Sequence, residues 1–261
     1  MSNSARGRFE GRTVIVTGAA SGIGAATAPL FAAEGGHVVC ADIDGEGAEK
    51  TAAGIVAAGG AATALGADVA QPESGEQIAA AAMDATGRID VLFNNAGVAS
   101  AGAVHEVSLE EWRRCLAINL SGPFHVARAA VPHMLAGGGG SIINMASVLA
   151  TLAEPGRTAY CASKGGVRAM TVAMARDLAP TIRVNSISPG VIHTPAVDTI
   201  LAESADPEAL EEEMTSANRM LRRMARPEEV GNVVLFLGSD DSSFITGQDL
   251  MIDGGMSVTM R

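Results

Sequence analysis

The sequence predicts an α/β protein: a doubly wound, Rossmann-type parallel sheet of about seven strands with helices on both faces. Three observations carry that expectation. Short runs rich in Val and Ile recur along the chain and alternate with longer stretches rich in Ala, Glu and Arg. The runs are continuously apolar rather than alternating, as strands covered on both faces are. The first run ends in a cluster of glycines, and a helical pattern follows it.

Thr13–Thr17 is the first strand candidate, and a helical pattern over 25–33 follows the glycines. The second run, 37–41, is closed by Asp42; the third and weakest, 62–65, leads to Asp68 and Val69. After a helical stretch over 74–86, residues 91–93 form a fourth strand candidate before Asn94-Asn95-Ala96-Gly97. Residues 109–135 read as one long helix, and Gly137 to Gly140 as a short connector. The fifth strand candidate, 141–145, precedes Ser147, and a helical pattern spans 159–178. The sixth, 182–187, precedes Pro189-Gly190, and Asp249–Ile252 is the seventh. Between these two, 227–237 opens with proline followed by two glutamates, which suit the positive end of a helix. Residues 194–226 carry no strand signal and are expected to form a helical or lid-like insertion beside the substrate. No internal repeat divides the chain, so residues 1–261 are expected to form one domain.

Hydrophobic residues make up 48% of the chain and aromatics only 3%, so the core must come from Ala, Val, Ile, Leu and Met. The net charge of −11 repels phosphate backbones and argues against nucleic acid as a partner. No apolar run is long enough to span a membrane. Residues 1–8 lack the apolar stretch of a signal peptide, which points to the cytoplasm. Cys40, Cys115 and Cys161 are far apart and form no C-x-x-C pair, so free thiols are expected, without metal or disulfide.

The glycine turn reads Thr17-Gly18-Ala19-Ala20-Ser21-Gly22-Ile23-Gly24. Placed between first strand and first helix, it would bring backbone N–H groups and a helix N-terminus against a pyrophosphate. Asp42, beside Ile43, lies eighteen positions after Gly24, where a carboxylate can accept hydrogen bonds from ribose hydroxyls. It would repel a 2′-phosphate, and no Lys or Arg lies between Gly18 and Gly24. NAD is therefore expected rather than NADP.

The chain has a single tyrosine, Tyr160, with Lys164 one helical turn further on. A phenol titrates near 10 and is a poor base at neutral pH, but a neighbouring ammonium favours the phenolate. Alone, the pair is a pattern that any helix carries. Ser147 alone reads as a nucleophile, yet no Gly-x-Ser-x-Gly elbow surrounds it.

Taken in order, the glycine turn, Asp42, Asn94 to Gly97, Asn119, Ser147, Tyr160, Lys164 and Pro189-Gly190 resemble the short-chain dehydrogenase/reductase family in its compact form. The resemblance runs from about Phe9 to Gly255 without a departure at these positions. It implies that Tyr160 is the acid/base and that Ser147 positions the substrate oxygen. Lys164 would hold the nicotinamide ribose and lower the tyrosine pKa, and Asn119 would support a water linking Lys164 to solvent. It further implies that Gly18, Ser21, Gly22, Ile23 and Gly24 bind the pyrophosphate, with Asp42 and Ile43 at the adenosine ribose. Asp68 and Val69 would flank the adenine, and Asn95, Ala96 and Gly97 would line the adenosine side. Pro189, Gly190, Ile192 and Thr194 would hold the carboxamide end, and the family usually forms tetramers.

The expected activity is NAD-dependent interconversion of a secondary alcohol and a ketone. A non-catalytic NAD(H) sensor or scaffold and a 3-oxoacyl-type reductase are the alternatives. An enoyl reductase fits less well, because its family usually spaces tyrosine and lysine more widely. Ile192, Val197, Ile200 and Leu201 suggest an apolar substrate. Met214, Met220 and Met224 read equally as helix-pair packing or as an adaptable substrate wall. His193 reads as a loop residue, Cys161 and Trp112 as packing, and Gly165-Gly166 as a close approach by another element.

Overall fold

The computed structural model describes residues 7–218 and 220–258. Residues 1–6, on which most of the signal-peptide reading rests, lie outside the described residues.

The strands are β1 Thr13–Thr17, β2 His37–Asp42, β3 Ala61–Gly66, β4 Val91–Asn94, β5 Gly140–Met145, β6 Ile182–Pro189 and β7 Asp249–Ile252. They form one parallel sheet in the order β3-β2-β1-β4-β5-β6-β7. The helices are α1 Gly22–Ala33, α2 Gly45–Ala57, α3 Pro72–Thr86, α4 Leu109–Leu116, α5 Gly122–Ala136, α6 Thr158–Leu178, α7 Pro195–Ala202, α8 Pro207–Ala217 and α9 Pro227–Gly238.

The pleat of the central strands distributes the core to two faces. Val14 and Val16 of β1 pack with Phe31 of α1, Ile55 of α2 and Val234 of α9. Ile15, between them, points the other way and joins Ile78 of α3, Val126 of α5 and Ala175 of α6. β1 is buried along its whole length, which is why it reads as an unbroken apolar run.

Strand order reverses between β1 and β4, so their following loops diverge and leave a crevice at the carboxyl ends. All seven expected strands are present. Two helical expectations differ. α2 was not anticipated, because Gly45, Gly47 and Gly54 weaken its helical pattern; Asp44 caps it by accepting from the Gly47 N–H at 3.0 Å. The expected long helix over 109–135 is interrupted at Ala117–Ser121 by a widened π-helical turn in which Asn119 is buried. Among the described residues no helix is long and apolar enough to cross a membrane.

Candidate active site

A cleft of about 590 Å³ opens at the carboxyl ends of the strands. Its floor is the glycine turn. After β1 the chain turns through left-handed backbone at Gly18 and Gly22, at φ 67° and 54°. A Cβ on Gly24 would stand 2.0 Å from the Gly18 carbonyl oxygen, so only hydrogen fits there. Asn95 fixes the turn by donating from its amide to the carbonyls of Thr17 and Gly18 at 2.8 and 3.0 Å. The Thr17 hydroxyl accepts in return from the N–H groups of Asn95 and Ala96. The first turn of α1 carries no acidic side chain, and Ser21 makes no side-chain cap. The residues present therefore fit a pyrophosphate: small, with free approach to the positive end of a twelve-residue helix.

Next to this floor, Asp42 ends β2. Its carboxylate accepts from the Ala20 and Asp44 N–H groups, both at 2.9 Å, tying the glycine turn to the strand. Ile43 projects beside it, largely exposed. Asp68 accepts from the Ala70 N–H at 3.0 Å, and Val69 is buried beneath Gly122. All four line the cleft, and among the described residues the basic ones lining it, Arg157 and Lys164, belong to the tyrosine end.

Ser147 follows β5 and is buried, its hydroxyl accepting from the Leu149 N–H at 3.2 Å. That leaves its own proton for a second partner, and Tyr160 lines the same cleft. Lys164 is buried one turn further along α6, with Nζ 2.7 Å from the Met145 carbonyl and 5.7 Å from the centroid of the Tyr160 ring. Burial pushes the Lys164 ammonium down to about 8. Burial also pushes the Tyr160 phenol above its ordinary value, against the opposing influence of the Ser147 hydroxyl and the Arg157 charge. The sequence led to the opposite direction for this phenol; desolvation outweighs its partners, and the Lys164 ammonium is directed to a carbonyl.

Asn119 serves as a clasp. Its Oδ1 accepts from the Val98 N–H at 2.8 Å, and its Nδ2 donates to the Val98 carbonyl at 2.9 Å and the Ser163 hydroxyl at 3.1 Å. A Cβ on Gly97 would lie 3.3 Å from Asn119 Oδ1 and 3.4 Å from Lys164 Nζ, so this glycine lets the loop pass between them.

The opposite bank follows β6. Gly190 packs where a Cβ would meet Asn218 Oδ1 at 2.6 Å. Ile192 is buried and pairs with Ala225, and Thr194 comes within van der Waals reach of the Cβ position of Gly22, spanning the cleft. The insertion 194–226 contains α7 and α8, neither of which buries a residue. Sequence reasoning missed Asn218, which grips both the N–H and the carbonyl of Val191 at 3.2 and 3.0 Å. It also missed Leu149, Glu154, Arg157 and Met256 in the lining. Arg157 alone carried a signal, since it precedes Tyr160 by about one helical turn. Val197 lines the cleft as expected, whereas Met214, Met220, Met224 and Ile200 do not. Met220 is mostly exposed and covers Gly255. His193 is an exposed loop residue bonded to Asp198, and Gly166 lies against Leu120 as a close approach requires.

A family model described as enoyl-(acyl carrier protein) reductase matches residues 18–257. The uncharacterized oxidoreductase YxbG of Bacillus subtilis is 44% identical over 96% of this chain and 92% of its own. The 3-oxoacyl-[acyl-carrier-protein] reductase FabG of Thermotoga maritima is 39% identical over 96% of this chain and 100% of its own. The crystal structure of a short-chain dehydrogenase/reductase from Burkholderia xenovorans superposes with a TM-score of 0.93 at 35% identity, covering 98% of this chain and all of the other.

Proposed function

Because the chain belongs to the short-chain dehydrogenase/reductase family, and is an NAD(P)-dependent oxidoreductase of CH–OH groups, we propose that it interconverts a secondary alcohol and its ketone with NAD and with Tyr160 as acid/base. The observation that carries this reading is the grouping of Ser147, Tyr160 and, one turn further on, buried Lys164 in the same cleft as the glycine turn.

When bound, NAD would supply the hydride acceptor for the carbinol carbon, and NADH the hydride donor in the reverse direction. Ser147 hydrogen-bonds the substrate oxygen, using the proton that its bond from the Leu149 N–H leaves available. The Tyr160 oxygen takes the hydroxyl proton in oxidation and gives it to the carbonyl oxygen in reduction. Lys164 binds the nicotinamide ribose and favours the phenolate by its charge. Asn119 holds the loop of Asn95, Ala96 and Gly97 against Lys164 and supports the proton path to solvent. Gly18, Ser21, Gly22, Ile23 and Gly24 bind the pyrophosphate. Asp42 takes the adenosine ribose with Ile43 over it, and Asp68 and Val69 flank the adenine. Pro189, Gly190, Ile192 and Thr194 hold the carboxamide end.

Preference for NAD is supported by Asp42 and by the lack, among the described residues, of a lining Lys or Arg at its end of the cleft. Residues 1–261 act as one domain, with 194–226 as the substrate wall. The enzyme works in the cytoplasm as a homotetramer; exposed Phe124 on α5, Val172 on α6 and Met251 on the edge strand β7 are suited to contacts between copies. Light scattering tests the assembly, and a monomer would sink it. A second reading, reduction of a 3-oxoacyl thioester, is favoured by likeness to the Thermotoga maritima reductase. A panel of secondary alcohols, ketones and one 3-oxoacyl thioester, followed by NADH absorbance, separates the two. Turnover of the thioester alone would replace the first reading, and NADH binding without any turnover would leave a sensor or scaffold.

A further inference from the structure

We infer that the cleft selects neutral substrates with a second oxygen function, diols or hydroxyketones, whose distal hydroxyl is held between Arg157 and Glu154. This rests on the reading of Tyr160 as acid/base for a secondary alcohol and specifies the substrate of that same site.

The cleft that holds Ser147 and Tyr160 is lined also by the apolar Val148, Leu149, Ile192, Val197 and Met256. The same lining contains Glu154 and Arg157, one charge of each sign. Arg157 stands at the N-cap of α6, just before Tyr160, and its charge reaches the phenol. The charged pair and the acid/base therefore face one space.

Arg157 and Glu154 form an ion pair, but Nε and Oε2 are 3.7 Å apart, longer than a hydrogen bond, and Arg157 donates from Nη1 to the Ser100 carbonyl at 3.3 Å. A guanidinium has five donors, so donors remain. The segment is also strapped down: the Gly102 N–H donates to the Gly156 carbonyl at 2.8 Å, and Gly102 pairs with Arg157.

Charge then sorts the guests. A carboxylate drawn to Arg157 meets Glu154, and an ammonium drawn to Glu154 meets Arg157. A hydroxyl suits both, because it donates to the carboxylate and accepts from the guanidinium. A site that reads a hydroxyl by hydrogen bonds rejects the analogue lacking it far more strongly than an apolar wall distinguishes size.

The test compares NAD-dependent oxidation of cyclohexanol, the cyclohexanediol isomers, a hydroxycyclohexanecarboxylate and an aminocyclohexanol. At least one diol is expected to exceed cyclohexanol in kcat/KM by about tenfold or more, chiefly through KM, and to exceed both charged analogues. The diol-to-cyclohexanol ratio is expected to fall toward one in Glu154→Ala and in Arg157→Met. Turnover of cyclohexanol with no diol advantage, a ratio unchanged in both variants, or preference for a charged analogue would each overturn this inference and leave the dehydrogenase reading standing. No turnover of any alcohol, with NADH still bound, would overturn both.

Discussion

The Lys164 ammonium donates to the Met145 carbonyl at 2.7 Å, so the last residue of β5 and the middle of α6 are joined by a buried cation. Its depressed pKa, about 8 against an ordinary 10.5, has a consequence for stability. Below 8 the folded protein must keep a proton on a desolvated amine. Between 8 and 10.5 the unfolded chain holds that proton and the folded one does not, so this group makes stability rise with pH across that window. Urea midpoints of the protein and of Lys164→Met from pH 7 to 10 should diverge in this sense. Parallel curves would rule out the shift.

Tyr160→Phe should lower kcat by about 10²–10⁴-fold and keep NADH binding, measured by nicotinamide fluorescence. Full activity in this variant would dismiss the mechanism.

The single phenol of the chain allows its ultraviolet titration to be read without assignment. Burial places its midpoint above 10 in the free protein, and NAD should lower it by drawing the Lys164 charge into the site. Since oxidation needs the phenolate and reduction the phenol, rates should rise with pH in the first direction and fall in the second. A midpoint that NAD leaves unmoved would argue that Lys164 has no part in tuning it.

Gly24→Ala forces a methyl group against the Gly18 carbonyl. Overpacking of this kind costs about 1–3 kcal/mol, and the displaced turn should weaken NADH binding. Chemical denaturation and a binding titration check both, and an unaltered variant would mean the turn has room.

Asp42→Ser retains a hydrogen-bond acceptor and removes the charge. The ratio of kcat/KM for NAD over NADP should fall by about 10–100-fold, the worth of a hydrogen bond to a charged group. Initial rates with each cofactor decide it, and unchanged selectivity would assign discrimination elsewhere.

The central strands were legible because burial on both faces leaves unbroken apolar runs, as in β1 and β2. The glycine turn, Asp42, Ser147, Tyr160 and Lys164 were legible because their chemistry is tied to fixed points of the strand–helix alternation, and the cleft brings them together. What escaped depends on contacts distant in sequence. Asn218 is one polar residue in an insertion until Val191 meets it, and Glu154 is an ordinary acid until the loop around Gly102 sets the cleft mouth. The direction of the Tyr160 shift escaped for another reason: spacing shows which charges are near but not how much water burial removes.

The two banks of the cleft differ in how firmly they are held. α6 buries six of its residues, Lys164 among them, whereas α7 and α8 bury none. Segments with few buried contacts open at small free-energy cost, while buried helices wait for global unfolding. Amide protons of α7 and α8 should therefore exchange with solvent long before those of α6. On the proposed mechanism the chemistry is anchored to the slow bank, and the residence time of a bound guest should follow the breathing of the fast one.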